Sequence, residues 1–359
     1  MAKRLNEHLD KNDLSEKMQS AYRMCHSTET ALLKVQSDVL HAMHKKHMVA
    51  LVLLDLSAAF DTIDHAILFS RLEHHFGIVD TALKWLKSYL SNRSQSVIIS
   101  GNISTNIKLT FGVPQGSVIG PILFTMYTVP LGDIARKHNL DYHFYADDSQ
   151  LYISFNPNTD TVNRLNQLEA CIADIKRWML VNFLKLNDDK TEVMLFGSPY
   201  FLKKQPSISV LVGETLINSS THVRNLGAIL DKGMTMEKFV NLKISSSSFY
   251  LKSIAKIRKF LTISAAKSLI HAYVISRLDY CNCLLLGAKK YLIRKLQNVQ
   301  NTAARIVTCT TRQSDITGIL NELHWLPIWK RIIFKILVHM YNCVKGCAPQ
   351  YLKDCIPQY

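Results

Sequence analysis

The sequence predicts a mixed α/β domain over residues 1–234, followed by an all-α, strongly basic region. Three observations lead there. The apolar run "MVALVLLDL" (48–56) and the aromatic, β-branched stretch "YHFYADDSQLYISF" (142–155) have strand composition. From about residue 235 onward, apolar residues recur almost wholly at helical spacing. Charge divides near the same place: residues 1–199 hold 20 Lys/Arg against 21 Asp/Glu, and residues 200–359 hold 23 against 7, a net of +16.

Taken in order, "STETALLKVQSDVLHAMHKKH" (27–47) opens on Ser/Thr capping residues, and Leu32, Val35, Val39, Leu40 and Met43 follow at helical spacing. The run 48–56 lacks polar alternation; it fits a strand buried on both faces or a short buried helix. Residues 65–90 read as helical. "SQSVIIS" and "NIKLTFGV" read as two strands joined through Gly101-Asn102. "GVPQGSVIGPILFTMYTVPL" (112–131) begins as a Gly/Pro loop and becomes an apolar helix. After the 142–155 hairpin, Leu165, Leu168, Ile172, Ile175 and Met179 mark one face of an amphipathic helix. "KLNDDKTEVMLFG" (185–197) is a turn and a strand, "SPYFLKKQPS" (198–207) a loop, and 208–217 and 222–230 are short strands.

At 359 residues and 48% hydrophobic content, the chain can bury a sizeable core in two or three domains. No run approaches the ~18 uncharged apolar residues of a membrane helix. The opening "MAKRLNEHLDKNDLSEKMQS" has no apolar core of a signal peptide, so an intracellular location and no membrane partner are expected. Eight scattered cysteines do not resemble a secreted disulfide framework, and Cys343, Cys347 and Cys355 with His339 match no common zinc spacing. A basic back half suits a polyanion lying across it.

The chemistry centres on carboxylates. Adjacent Asp147 and Asp148 interrupt an apolar strand pattern unless they occupy a hairpin turn, and Asp55 ends the apolar run 92 residues earlier. Three carboxylates converging at a sheet edge need counter-charge, which Mg²⁺ supplies through hard oxygen ligands. Two such ions about 3.5–4 Å apart serve the attacking and leaving oxygens of a phosphoryl displacement.

The order "LVLLDLSAAFD", "GVPQGS", "YADD", "LNDDKTE" resembles the polymerase motifs of reverse transcriptases. More narrowly, "HSTETALL", "LDLSAAFDTIDH", "YLSNRSQSV", "GVPQGSVIGPILF", "FYADDSQLY" and "NFLKLNDDKTEVMLFG" resemble the LINE-type (non-LTR) retrotransposon enzymes, and "VRNLGAILD", "SRLDYCN" and "LHWLPIWKRIIFKIL" extend the likeness downstream. The resemblance implies a right-hand polymerase: partial fingers at 1–47, a palm with antiparallel sheet at 48–234 carrying a fingers insertion near 77–111, a helical thumb at 235–288, and a downstream helical region at 289–359.

It also implies roles. Asp55, Asp147 and Asp148 match the metal-binding aspartates, for two Mg²⁺ ions with Mn²⁺ as an alternative. Phe60 matches the steric gate that disfavours a 2′-OH, and Leu56, Gln115 and Gly116 match residues lining the nucleotide. Lys190 matches the lysine that protonates departing pyrophosphate, and Leu226 and Gly227 match the primer grip. Asp61 and Asp64 are read as supporting local structure. Lys252, Lys256 and Lys259, at helical spacing opposite Ile254, Ile257 and Leu261, form a face that can track duplex phosphates.

The expected partners are an RNA template, a DNA primer or RNA–DNA hybrid, and dNTPs; the resemblance implies a cytoplasmic ribonucleoprotein and the nucleus as locations. "QSAYRMCHSTETAL" resembles the second fingers block, and an Arg-Pro-Ile-Ser-like first block has no counterpart, so the chain is expected to be truncated at both ends. Beside polymerase activity, the alternatives are an RNA- or hybrid-binding module and an inactive relic of the same ancestry.

Overall fold

The computed structural model describes residues 1–356, which form two compact units. The first comprises residues 1–27, 42–195 and 200–220; the second comprises 28–41, 196–199 and the chain from 221 onward.

The first unit is built on a four-stranded sheet. Strands β1 (Met48–Leu54), β2 (Asp141–Tyr145), β3 (Asp148–Phe155) and β4 (Glu192–Phe196) lie in the order β4-β1-β3-β2. β1 runs antiparallel to β3, with Met48 opposite Phe155 and Leu54 opposite Ser149. β2 runs antiparallel to β3 as a hairpin. Both side-chain parities of β1 are buried, Met48, Ala50 and Val52 on one and Val49 and Leu51 on the other. That is why its sequence is a continuous apolar run rather than an alternating one, and it resolves the strand-or-helix ambiguity.

Helices cover the sheet. α1 (Ala2–Lys11) contributes Leu5 and Leu9 to the core, and α3 (Gly120–Thr128) contributes Ile122, Leu123 and Phe124; α2 (Thr28–His44) lies between them in the chain. α4 (Thr161–Val181) buries Leu168, Ile172, Ile175 and Met179, with Leu165 partly covered, as its periodicity predicts. Arg71 joins α3 to the end of α4. It donates to the Tyr127 carbonyl and, at 2.8 Å, to Asn182 Oδ1, with its guanidinium over the Tyr127 and Trp178 rings.

Several local expectations are corrected. The helical stretch 65–90 is two helices, His65–His74 and Asp80–Leu90, parted where Gly77 takes φ +62°. The predicted hairpin turns through Ser100-Gly101 (φ +50° and +84°), because Ile99 pairs with Asn102. Residues 199–204 form a short helix instead of a loop, with Pro199 pre-setting the first turn and Phe201 and Leu202 packed on the core. Each of the strands expected at 208–217 and 222–230 is a hairpin: Ser209–Val212 pairs with Thr215–Asn218, and His222–Asn225 with Ala228–Asp231.

The second unit is mainly helical, with α5 (Glu237–Ile257), α6 (Lys290–Thr308) and α7 (Ile328–Val344) as its long helices. α2 contributes Leu32, Val35 and Val39 as buried residues. No helix among the described residues is long and apolar enough to cross a membrane.

Candidate active site

The β2–β3 hairpin closes tightly. Tyr145 pairs with Asp148, leaving Ala146 and Asp147 as a two-residue loop, and Ala146 takes φ +55°. A positive φ at the first loop position suits the right-handed twist of the flanking strands. Asp55 follows Leu54, the last residue of β1. Since Leu54 lies opposite Ser149, Asp55 and Asp148 both stand one step further towards the hairpin tip.

A second pairing brings in the fourth residue. Leu56–Ser57 runs antiparallel to Lys185–Leu186, and Asn187 N donates to the Asp55 carbonyl at 2.9 Å. The chain then makes a turn, Asp188–Lys190, that places Lys190 Nζ 3.3 Å from Asp55 Oδ2. Distant segments thus converge on Asp55, Asp147, Asp148 and Lys190, the set that the sequence singles out.

The carboxylates repel one another. Burial raises the Asp148 carboxyl to about 6, and the charges of Asp147 and Asp55 push the same way. Burial also raises Asp147, opposed by a hydrogen bond from its own backbone; Asp55 raises it further and Lys190 lowers it. Asp148 stays exposed to solvent, so water screens part of this repulsion. Asp55 Oδ2 is buried and accepts no hydrogen bond. Three converging carboxylates, with Lys190 the one cation among the described residues placed beside Asp55 Oδ2, are a donor set suited to hard divalent cations, so Asp55, Asp147 and Asp148 fit Mg²⁺ or Mn²⁺.

A pH dependence follows. For Asp147 and Asp148 the folded-state values lie above those of an unfolded chain, so the folded protein holds extra protons. The stabilisation is present below about pH 4 and is lost as pH rises through about 6. In EDTA, the melting temperature of the parent should therefore fall relative to Asp148→Asn between pH 4 and 7. Parallel melting curves across that range would contradict the linkage.

The residues expected around a nucleotide cluster on one loop. Val113 N donates to the Phe60 carbonyl at 2.9 Å, and the Phe60 ring packs on Phe124 with centroids 4.8 Å apart. Gln115 Nε2 donates to both Asp61 carboxylate oxygens, at 3.0 and 3.1 Å. Gly116 takes φ +75°, and a Cβ there would meet open space. Gly112 is tighter, since a Cβ would come within 2.8 Å of the Asp61 carbonyl. Ser117 Oγ accepts from Gly120 N, the first residue of α3, at 3.0 Å. Leu56 differs from its neighbours: its side chain is buried in the core and its backbone pairs with Leu186. Asp64 caps helix His65–His74 through Ile67 N, a structural role as read from sequence.

In the second unit, Leu226 and Gly227 form a hairpin turn at φ +42° and +80°. The Tyr280 hydroxyl donates to the Leu226 carbonyl at 2.5 Å. Lys252, Lys256 and Lys259 are all exposed. Lys259 lies beyond the end of α5 in a separate turn, Arg258–Phe260, and Ile257 is exposed rather than facing the core. Glu29, Cys283 and His339 also approach one another. Lys335 Nζ already sits 2.7 Å from Glu29. Burial opposes the charge on Glu29, yet contacts from His339, Cys283 and Lys335 hold it at about 2. Burial pushes the Cys283 thiol up, which keeps it protonated and a poor metal ligand.

Sequence reasoning missed two partners of the site. Asp61, whose sequence context points only to local support, holds Gln115. Gln19, whose amide reaches the Ala146 backbone, lies in a stretch with no periodicity to mark it. The usable signal for Asp61 is its place six residues after Asp55, in a segment that the glycine at 112 allows the loop to cross closely.

Residues 1–230 match the family described as Reverse transcriptase (RNA-dependent DNA polymerase). A probable RNA-directed DNA polymerase from transposon BS of Drosophila melanogaster is 27% identical over 323 residues, covering 86% of this chain and 34% of its own length. One from transposon X-element of the same species is 26% identical, covering 81% and 32%. Among solved structures, apo telomerase from Candida tropicalis superimposes with a TM-score of 0.48 at 12% identity, covering 89% of this chain and 49% of that one. The chain spans about a third of the length of these curated relatives. With more than half of its residues inside the matched region, carboxylate cluster included, the chain belongs to the reverse transcriptase family, has that family's polymerase fold, and groups with the LINE-type (non-LTR) retrotransposon enzymes.

Proposed function

We propose that this chain is an RNA-templated DNA polymerase that adds deoxynucleotides to a primer 3′-OH. The observation that carries the reading is the convergence of Asp55, Asp147 and Asp148 beside Lys190. In the reaction, the primer 3′-OH gives its proton to solvent, its oxygen bonds to the α-phosphorus of a dNTP, the bond from that phosphorus to the bridging oxygen of the β-phosphate breaks, and pyrophosphate leaves. Two Mg²⁺ ions held by the three aspartates, or Mn²⁺ in their place, would neutralise charge on the attacking and leaving oxygens. Lys190 supplies a proton to the leaving pyrophosphate. Gln115, braced by Asp61, and Gly116 line the nucleotide.

In this reading residues 1–47 are partial fingers, 48–234 the palm with a fingers insertion near 77–111, 235–288 the thumb and 289–359 the downstream helical region. Leu226 and Gly227 then hold the primer end, and Lys252, Lys256 and Lys259 follow the phosphates of an RNA–DNA hybrid.

Phe60 is the steric gate. A ring braced by Phe124 cannot yield easily to a 2′-OH. Rejection of one added hydroxyl by an apolar wall is worth on the order of 10²-fold. Phe60→Val should therefore raise rATP incorporation relative to dATP by up to about that factor, measured by single-nucleotide addition opposite rU. An unchanged ratio would remove Phe60 from this role.

The function is tested by primer extension on poly(rA)/oligo(dT) with Mg²⁺, using EDTA as the blank. A second reading, a hybrid-binding module, is favoured by the net +16 over residues 200–359. It requires hybrid binding that weakens steeply with salt and no extension.

A further inference from the structure

We propose that Gln19 is a positioning residue for the Asp147 turn, its side-chain amide setting the direction in which that carboxylate is presented. The inference rests on the polymerase reading of the carboxylate cluster and adds a residue to it.

A two-residue hairpin loop leaves the N–H and C=O of its first residue outside the strand ladder, and buried groups of that kind need partners. Here one side chain satisfies both. Gln19 Oε1 accepts from Ala146 N at 2.9 Å, and Gln19 Nε2 donates to the Ala146 carbonyl at 3.3 Å. The same Oε1 accepts from Ala21 N at 2.9 Å. With two N–H groups facing the oxygen and a carbonyl facing the nitrogen, the amide orientation is determined; a flipped amide would set like against like. The two peptide groups held are those on either side of Ala146, and the second carries Asp147.

Gln19 is itself fixed to the strand that leads into the turn. Ser20 N donates to the Phe144 carbonyl at 3.0 Å, and Phe144 N to the Met18 carbonyl at 2.9 Å, so residues 18–20 run beside β2 in parallel. Ser20 Oγ and His143 Nε2 form a buried hydrogen bond of 2.8 Å. Gln19 is 4% exposed, so water does not compete for its amide. Ala146, an L-residue at φ +55°, gains from such a grip, because the left-handed conformation is not one it favours alone. No other side chain of this length offers a donor and an acceptor in that order. Glu in its place would set a carboxylate oxygen against the Ala146 carbonyl and add negative charge to a repulsive cluster. Met keeps the length and offers neither group.

The test uses the full chain. Mn²⁺ binding to metal-free protein is read by loss of the free-ion EPR signal, beside kcat and dNTP KM in primer extension and melting in EDTA. Loss of a group that orients metal ligands typically weakens metal binding by roughly 10–100-fold. Gln19→Met should therefore weaken Mn²⁺ binding and lower kcat by about tenfold or more, with dNTP KM within about twofold of the parent. Gln19→Glu, which keeps the acceptor towards Ala146 N and Ala21 N, should weaken Mn²⁺ binding in the same direction while folding. Ser20→Ala, which loses the neighbouring buried bond, should lower the melting temperature and leave Mn²⁺ binding unchanged. If the Gln19 variants bind Mn²⁺ like the parent, or Ser20→Ala weakens it equally, Gln19 is only a packing residue. A parent chain that binds no Mn²⁺ overturns the polymerase reading and the clamp together, whereas a parent that binds it without extension leaves the EPR comparison decisive for Gln19.

Discussion

Asp147→Asn is expected to abolish primer extension, lowering the rate by 10³-fold or more, on the order of what loss of a central electrostatic group costs. The same variant should melt at a higher temperature than the parent in EDTA at pH 7.5. The two effects share one cause. Burial and the Asp55 charge disfavour the ionised form of Asp147, so the folded protein carries a repulsive cluster whenever no cation offsets it. Asn keeps the size and the acceptor for the Asp147 backbone hydrogen bond but removes the charge. Hybrid binding should be untouched, since the phosphate contacts proposed for the exposed lysines do not involve this group. Extension within tenfold of the parent would remove Asp147 from the chemistry. A lower melting temperature would mean that the cluster is stabilised by something other than repulsion relieved by a cation. Gain of stability with loss of activity is the signature of a site that stores unfavourable electrostatics for a ligand.

The parts of this arrangement legible in the sequence are those with a short-range physical signature. β1 is continuous apolar because both its faces are covered, and α4 shows its face at Leu168, Ile172, Ile175 and Met179. Asp147 stood out as a charge in a strand pattern, and the turn that holds it requires no distant information. Two kinds of feature were not legible. One is chain reversal inside short strands: Gly213 and Gly227, both at positive φ, turn single expected strands into hairpins, and a lone glycine in a strand pattern fits a bulge or a turn equally well. The other is long-range pairing of single polar side chains. Gln19 meets Ala146 across 127 residues, and Gln115 meets Asp61 across 54. Neither residue has a periodic context, so its partner is decided by how the sheet edge and the 112–120 loop pack. Leu56 shows the converse. The family resemblance implies nucleotide contact there, and the side chain itself packs into the core, which nothing local in the sequence marks.

Lys190→Gln is expected to lower the rate of nucleotide addition by about 10²-fold or more, in the range of a lost general acid, with little change in melting. Lys190 stands 3.3 Å from Asp55 Oδ2, so it has two candidate roles, counter-charge and proton donor. The stability effect separates them only weakly. Lys190's side chain is 69% exposed, and an ion pair with so open a partner contributes ~1 kcal/mol or less. Lys190→Arg separates them well. The guanidinium keeps the positive charge near Asp55, but it does not deprotonate in proteins and is a poor acid. If Lys190 acts as the proton donor to pyrophosphate, Arg leaves the rate close to that of Gln. Single-nucleotide addition by the parent and both variants, with chemistry rate-limiting, reads the difference. Full recovery by Arg would assign Lys190 to neutralising Asp55 alone. The proton for the leaving group would then have to come from solvent, and the turn Asp188–Lys190 would matter for holding the Asp55 backbone through Asn187 rather than for the ammonium it carries.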